Sequence, residues 1–190
     1  MAIVFLEGIH TGQCCAHINA YWQRHDIVDD SPVNLVPKGY EMGYKNAADY
    51  LVRNCMNLDV MCDNLVYPIV FLYRQYIELI LKHYLRLFCD EEKFKNLIRW
   101  HRHDIKSLFS EVCKIKDVDS FRNKNNENCY ELIKQVIREY HLYDRASFSF
   151  RYDFSTNLSE TIPQQLTVNL LALYNFADDL EYAFCELEMY

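Results

Sequence analysis

The fold class this sequence predicts is all-α, a bundle of about five or six helices with short extended segments near the N-terminus and around 148–152. Three observations predict it. The 190 residues are 51% hydrophobic and 15% aromatic, too apolar for a disordered chain and long enough to bury roughly 70% of the surface exposed on unfolding. Only 4 Gly and 4 Pro are present, too few turn-formers for a sandwich or barrel of many short strands. Apolar residues recur at three- and four-residue intervals through several long segments, the period of an α-helix.

In chain order, MAIVFL reads as a short strand or apolar tail, and Gly8 and Gly12 separate it from a weakly helical stretch between Ala16 and Arg24. Pro32, Pro37, Gly39 and Gly43 mark a loop from Asp29 to Gly43. Residues 1–43 therefore form an N-terminal helix-and-loop appendage, and 44–190 the bundle. Ala47, Ala48, Leu51, Val52, Cys55 and Leu58 put a helix over roughly 44–63. The strongest helix runs from Tyr67 to Phe88, with Pro68 in its first turn, where a missing N–H is harmless. Tyr73, Ile77, Ile80, Tyr84, Leu87 and Phe88 form its apolar face, while Arg74, Glu78, Lys82 and Arg86 line up as a polar stripe. This helix is expected to be central, its stripe held between neighbours. A short helix follows from Asp90 or Glu91 toward Trp100, and His103-Asp104-Ile105 opens another that ends near Lys116. RNKNNEN from Arg122 to Asn128 is a loop. Tyr130, Leu132, Ile133, Val136, Ile137 and Tyr140 mark a helix, and Phe148, Phe150 and Tyr152 alternate as in an extended segment. After Pro163 a helical pattern runs from Leu166 to the C-terminus.

The formal charge of −7 is unevenly placed. Between Val66 and Lys116 ten Lys or Arg face six Asp or Glu, a local balance of +4, whereas after Arg151 there are seven acids and no Lys or Arg. Either a basic groove beside an acidic flank or a set of solvated helix faces fits this pattern. The eight cysteines have no CxxC or other close metal-ligand spacing, so they read as reduced, mostly buried apolar residues. MAIVFLEGIH lacks a basic leader and is interrupted by Glu7 and His10, a poor signal peptide. No apolar run approaches the ~20 residues of a membrane span, so the expectation is a cytoplasmic protein away from membranes. No cofactor is expected, and His10, His17, His25 and His141 are too scattered for a metal site.

Three pieces of the chain together resemble bacterial HEPN proteins. Tyr67-Pro68-Ile69-Val70-Phe71-Leu72-Tyr73-Arg74-Gln75-Tyr76-Ile77-Glu78-Leu79-Ile80-Leu81-Lys82 is similar to the family's first core helix, where Arg, Glu-Leu and Lys recur. His103-Asp104-Ile105, with Leu108 and Phe109 after it, resembles the family's His-Asp-Leu helix start. Asp144 followed by Phe150-Arg151-Tyr152 resembles its later Asp and Phe-Arg-Tyr segment. The resemblance covers Ala47 to Tyr152, and the final helix by pattern only; the first forty residues match nothing. It implies a helical bundle and a homodimer. It also implies either a metal-independent endoribonuclease of a bacterial defence or toxin–antitoxin system, or a non-catalytic module that binds a cognate protein or a nucleotide.

One departure separates these readings. Nuclease members carry an Arg followed by His after four to six intervening residues, and no Arg–His pair here has that spacing. Arg74 and His83 would point to opposite sides of one helix, so they could meet only between two copies. Arg99 and His103 would share a face if their helix is continuous. Metal-free RNA cleavage needs a base for the ribose 2′-hydroxyl, an acid for the leaving oxygen and cations for the charged transition state. His103, Arg99 and Arg74 are the catalytic candidates, with His101 as a second imidazole. Glu78, Lys82, Arg102, Asp104 and Arg151 complete a polar stripe that either binds RNA or serves structure. The structural alternatives are definite: an ion-pair ladder through Arg74, Glu78 and Lys82, a helix cap at Asp104, and a pairing of Arg151 with Asp144 or the acidic last helix.

Overall fold

The computed structural model describes residues 5–7, 39–56, 62–152, 157, 159–162 and 166–189. Six α-helices make an all-α bundle: α1 (Gly39–Met56), α2 (Cys62–Phe88), α3 (Glu91–His101), α4 (Ile105–Val112), α5 (Tyr130–Tyr143) and α6 (Leu170–Met189). Two three-residue strands, β1 (Phe5–Glu7) and β2 (Leu166–Val168), pair antiparallel with Phe5 opposite Val168. The extended segment expected near the N-terminus is thus β1. The helix expected between Ala16 and Arg24 lies outside the described residues.

α2 is the central element, touching α1, α3, α4 and α6. It has apolar residues on most of its circumference, and Ile69, Val70, Tyr73, Tyr76, Ile77, Leu81, Tyr84 and Leu85 are all buried. Leu87 and Phe88, expected on the same face, are exposed, with the Phe88 ring against Tyr84 and under Lys116. Each fully buried large side chain contributes about 1.5–3 kcal/mol.

Four boundaries differ from the sequence reading. α1 begins at Gly39 rather than after Gly43. Buried Glu41, Lys45 and Ala48 dock its first turns on the bundle, and this packing outweighs the helix penalty of about 1 kcal/mol per glycine. α2 begins at Cys62, so Pro68 is interior to the helix and not in its first turn. Leu65 and Val66 pack against the core on that added turn, offsetting the hydrogen bond that Pro68 forfeits. Leu166 belongs to β2, and α6 starts only at Leu170, where the Asn169 carboxamide oxygen accepts the Ala172 N–H at 3.0 Å. Residues 148–152 are turns and not an extended segment. Asp144 Oδ1 accepts the N–H groups of Phe148 and Ser149 and winds the chain around itself, with Ser147 at φ 57°.

The loop at 122–128 is closed by a bridge between Arg122 and Asn128, with Asn126 at φ 62° at its tip. α3 differs from the other helices in burying no residue. Phe94, Leu97 and Ile98 pack partly buried against the core, and local chemistry adds to this: the Asp90 carboxylate accepts the Lys93 N–H at 2.8 Å, acids fill the first turn, and Arg99 and His101 fill the last. It stops where Arg102 turns to φ 47°. Asp104 then caps α4, accepting the Ser107 N–H at 3.2 Å.

Candidate functional site

The polar stripe of α2 meets the hinge between α3 and α4. Arg74 is 0% exposed, and its guanidinium donates to Glu78 Oε2 at 3.1 Å and to the His103 carbonyl. Glu78, also buried, accepts Lys82 Nζ on Oε1 at 2.5 Å. The same oxygen lies 2.9 Å from His103 Nδ1. The ladder read from the four-residue spacing is therefore present, and His103 joins it from another element.

Burial alone would push the Glu78 carboxyl up. The Lys82 hydrogen bond and the charges of Lys82, Arg74 and His103 outweigh burial and hold the group below the ordinary carboxylate range. An ionised carboxylate can only accept, so His103 Nδ1 carries the hydrogen. The His103 side chain is 60% exposed, so the ring is held at Nδ1 by Glu78 while much of it stays open to solvent. A carboxylate that fixes the tautomer of an exposed imidazole is the arrangement that prepares a general base.

Asp104, next in sequence, is turned the other way. Besides capping α4, it lies 3.4 Å from His141 Nδ1 and 3.8 Å from Arg145 Nε, both at the end of α5. Burial raises its pKa, but the Ser107 hydrogen bonds, then His141 and Arg145, lower it overall. The hinge is thus anchored to α2 by His103 and to α5 by Asp104.

The remaining candidates fall into place around it. Arg99 and His103 do not share a continuous helix, because α3 ends at His101 and Arg102 breaks it. Arg99 and Arg102 are both exposed beside the hinge. His101 lies 3.6 Å from Glu111 on α4. Arg74 and His83 do face opposite ways: His83 lies 3.5 Å from Glu41 and 3.8 Å from Glu188. With Arg74 wholly buried and engaged within its own chain, it has no path to a histidine of a second copy. Arg151 does not take Asp144 as its partner: the backbone N–H groups of Phe148 and Ser149 fill Asp144 Oδ1, and Oδ2 is buried without a hydrogen bond. It donates to the Ser147 carbonyl at 2.8 Å and lies over the rings of Phe71 and Tyr152. This puts it about 10 Å along α2 from Glu78.

A second polar cluster was not anticipated. Buried Lys45 lies 2.9 Å from Asp49, 2.5 Å from Asp178 and 3.3 Å from Glu181, and the Tyr73 hydroxyl donates to Asp49 at 2.6 Å. Burial disfavours the Lys45 ammonium, yet Asp49 and Asp178 keep it charged well above its usual range. The four-residue spacing of Lys45 and Asp49 was a usable signal, but acids on the last helix read equally well as a solvated face.

Six cysteines of the described residues are thiols outside any disulfide; Cys55 and Cys129 are buried, and Cys62, Cys89, Cys113 and Cys185 are half-buried. Burial pushes the Cys129 thiol up to about 11, against nucleophilic or metal-binding use. Among the described residues no group of three His, Cys, Asp or Glu is arranged to hold a metal ion, and no helix is long and apolar enough to cross a membrane. Along α3 runs an open groove of about 530 Å³, in which Asp90, Glu92 and Lys93 stand beside Leu97, Trp100 and His101. Compared with known proteins, the chain matches no family model, no curated protein and no solved structure.

Proposed function

We propose that this chain is an RNA-directed protein of the HEPN type that cleaves RNA without a metal ion, with His103 as the general base. The observation that carries the reading is the 2.9 Å contact between Glu78 Oε1 and His103 Nδ1 on a ring 60% exposed. His103 Nε2 takes the proton from the ribose 2′-hydroxyl, and the freed oxygen attacks the adjacent phosphorus. Glu78 stabilises the imidazolium that results, as a buried carboxylate does behind a catalytic histidine. Lys82, with one-fifth of its side chain exposed, and exposed Arg102 and Arg99 supply positive charge for the phosphorane-like transition state. Arg74 is a positioning residue, since it touches Glu78 and the His103 backbone but not solvent. The acid that protonates the leaving oxygen comes from a second copy: a homodimer joined beside the exposed α3–α4 hinge brings two His103 rings together, one as base and one as acid. Following the resemblance, the setting is the cytoplasm of a bacterium, in a defence or toxin–antitoxin system.

A second reading rests on the same contacts. Arg74 and Glu78 tie α2 to the hinge as a structural lock would, which suits a non-catalytic HEPN module that binds a cognate protein or nucleotide and lacks the nuclease Arg–His spacing. Labelled tRNA and mRNA incubated with the purified protein and with His103→Ala, in chelator and in Mg²⁺, separate the two. The nuclease reading expects cleavage that persists in chelator, falls at least 100-fold in the variant, and is accompanied by an unchanged melting temperature. RNA left intact by the folded wild-type protein would overturn it. A His103→Ala variant that still cleaves would remove His103 from the chemistry.

A further inference from the structure

Between the segment that follows α4 and the last helix lies a cavity of about 390 Å³, inside the range of roughly 300–1,000 Å³ in which proteins hold small molecules. Lys116, Arg122 and Asn126 line it from that segment, and Tyr182, Glu186 and Leu187 line it from α6. His103 precedes α4 and Lys116 follows it, so the eight residues of that helix, about 12 Å of length, stand between this cavity and the hinge. Its charged lining is two cations and one acid. Arg122 is held by the backbone: Nε donates to the Asp119 carbonyl at 3.1 Å and Nη1 to the Asn126 carbonyl at 3.2 Å. This uses two of its five N–H groups and fixes the plane of the guanidinium. Lys116 is half-buried, and its ammonium lies over the Phe88 ring at 5.2 Å and pairs with no carboxylate of the described residues. Glu186, also half-buried, pairs with no cation of the described residues. Other half-buried charges find partners within the fold, as Lys82 does in Glu78, Glu111 in Lys114, and Asp178 and Glu181 in Lys45. Opposite charges that line one cavity without pairing are complementary to a ligand carrying both signs. A lone anion would meet Glu186, and a lone cation would meet Lys116 and Arg122. A polyanion is disfavoured further, because Asp117, Asp119 and Glu127 stand exposed on the same segment.

We infer that this cavity is the binding site of a small zwitterion of the amino-acid class. The ligand's carboxylate takes the remaining N–H groups of Arg122, whose planar fork matches it, together with the Lys116 ammonium. Its own ammonium takes the Glu186 carboxylate, and its side chain lies against Tyr182 and Leu187. The inference goes beyond the ribonuclease reading and does not rest on it.

Each of the common L-amino acids, at millimolar concentration, is screened against the full chain by saturation-transfer NMR. The strongest binder is titrated by calorimetry beside two counterparts of the same side chain, one lacking the ammonium and one lacking the carboxylate. The titrations are repeated with Lys116→Ala, Glu186→Gln and His103→Ala. The inference expects at least one amino acid to bind and each single-charge counterpart to bind roughly tenfold or more weakly. Lys116→Ala and Glu186→Gln should each lose affinity by a similar factor at an unchanged melting temperature, since neither charge is paired within the fold. His103→Ala should bind as wild type does, because α4 stands between the two places. No binding by any amino acid to the folded wild-type protein would overturn the inference and leave the ribonuclease reading untouched. Binding that neither substitution weakens would put the ligand elsewhere and overturn it too. A counterpart with one charge that binds as tightly as the zwitterion would show that the two signs do not act together, and would overturn the assignment of ligand class.

Discussion

Glu78 shows how one residue can join stability to chemistry. Its two oxygens serve Arg74, Lys82 and His103, and all three interactions require the carboxylate to be charged. Glu78→Gln leaves the wholly buried Arg74 guanidinium without its counter-charge, so unfolding in urea is expected to show a loss of about 3–5 kcal/mol. The same change alters the response to acid. The folded carboxyl ionises at lower pH than its ordinary value of 4.5, so the unfolded chain binds more protons between the two values. Stability from this group is complete above pH 4.5 and is lost as pH falls through the folded value. Glu78→Gln should therefore flatten the acid limb of stability against pH below 4.5. A limb as steep as wild type would mean that the cluster is not formed in solution. His103→Ala removes a side chain mostly in water, and its effect belongs to the rate of cleavage rather than to stability.

At the scale of elements, helices with strong apolar periods were legible and their joints were not. The α2 stripe could be read from Arg74, Glu78 and Lys82 because four-residue spacing is a property of the helix itself. That His103 completes it could not, since the contact depends on where α3 stops. Arg102 stops it at φ 47° although arginine gives no local sign of doing so. β2 was read as helix because Leu166 continues the period of α6 backwards, and only its partner β1, far away in sequence, makes it a strand. His141 and Arg145 were missed as partners of Asp104 for the same reason. The Asp104 cap itself was legible, and it has a testable weight. Asp104→Ala should destabilise by about 1–2 kcal/mol in thermal unfolding, with Asp104→Asn recovering most of it because asparagine caps as well. If cleavage depends on the hinge, Asp104→Ala should also slow it while Asp104→Asn restores it.

On the scale of the whole molecule, α2 has buried ion clusters toward two sets of neighbours. One reaches the α3–α4 hinge through Glu78 and His103; the other joins Tyr73 to α1 and α6 through Lys45, Asp49 and Asp178. The acidic last helix is thereby partly neutralised from inside by Lys45, while the cations of α3 stay on the surface. The uneven charge in the sequence therefore divides between interior pairing and exposed helix faces of mixed charge. Lys45→Ala would leave Asp49, Asp178 and Glu181 close together with no cation. Chemical denaturation should show a loss of about 3–5 kcal/mol, whereas Lys95→Ala, whose partner Glu91 is also exposed, should change stability by under about 1 kcal/mol.

The three-residue ladder between β1 and β2 bears on how the chain reaches this arrangement. Phe5 and Val168 stand near opposite ends of the sequence, so pairing them closes a loop that contains five of the six helices. Such a closure is entropically expensive until the helices between have condensed, and two strands this short are marginal by themselves. The ladder is thus a late clasp: α2 and its neighbours assemble first, the first residues join last, and on transient opening they are the first to leave.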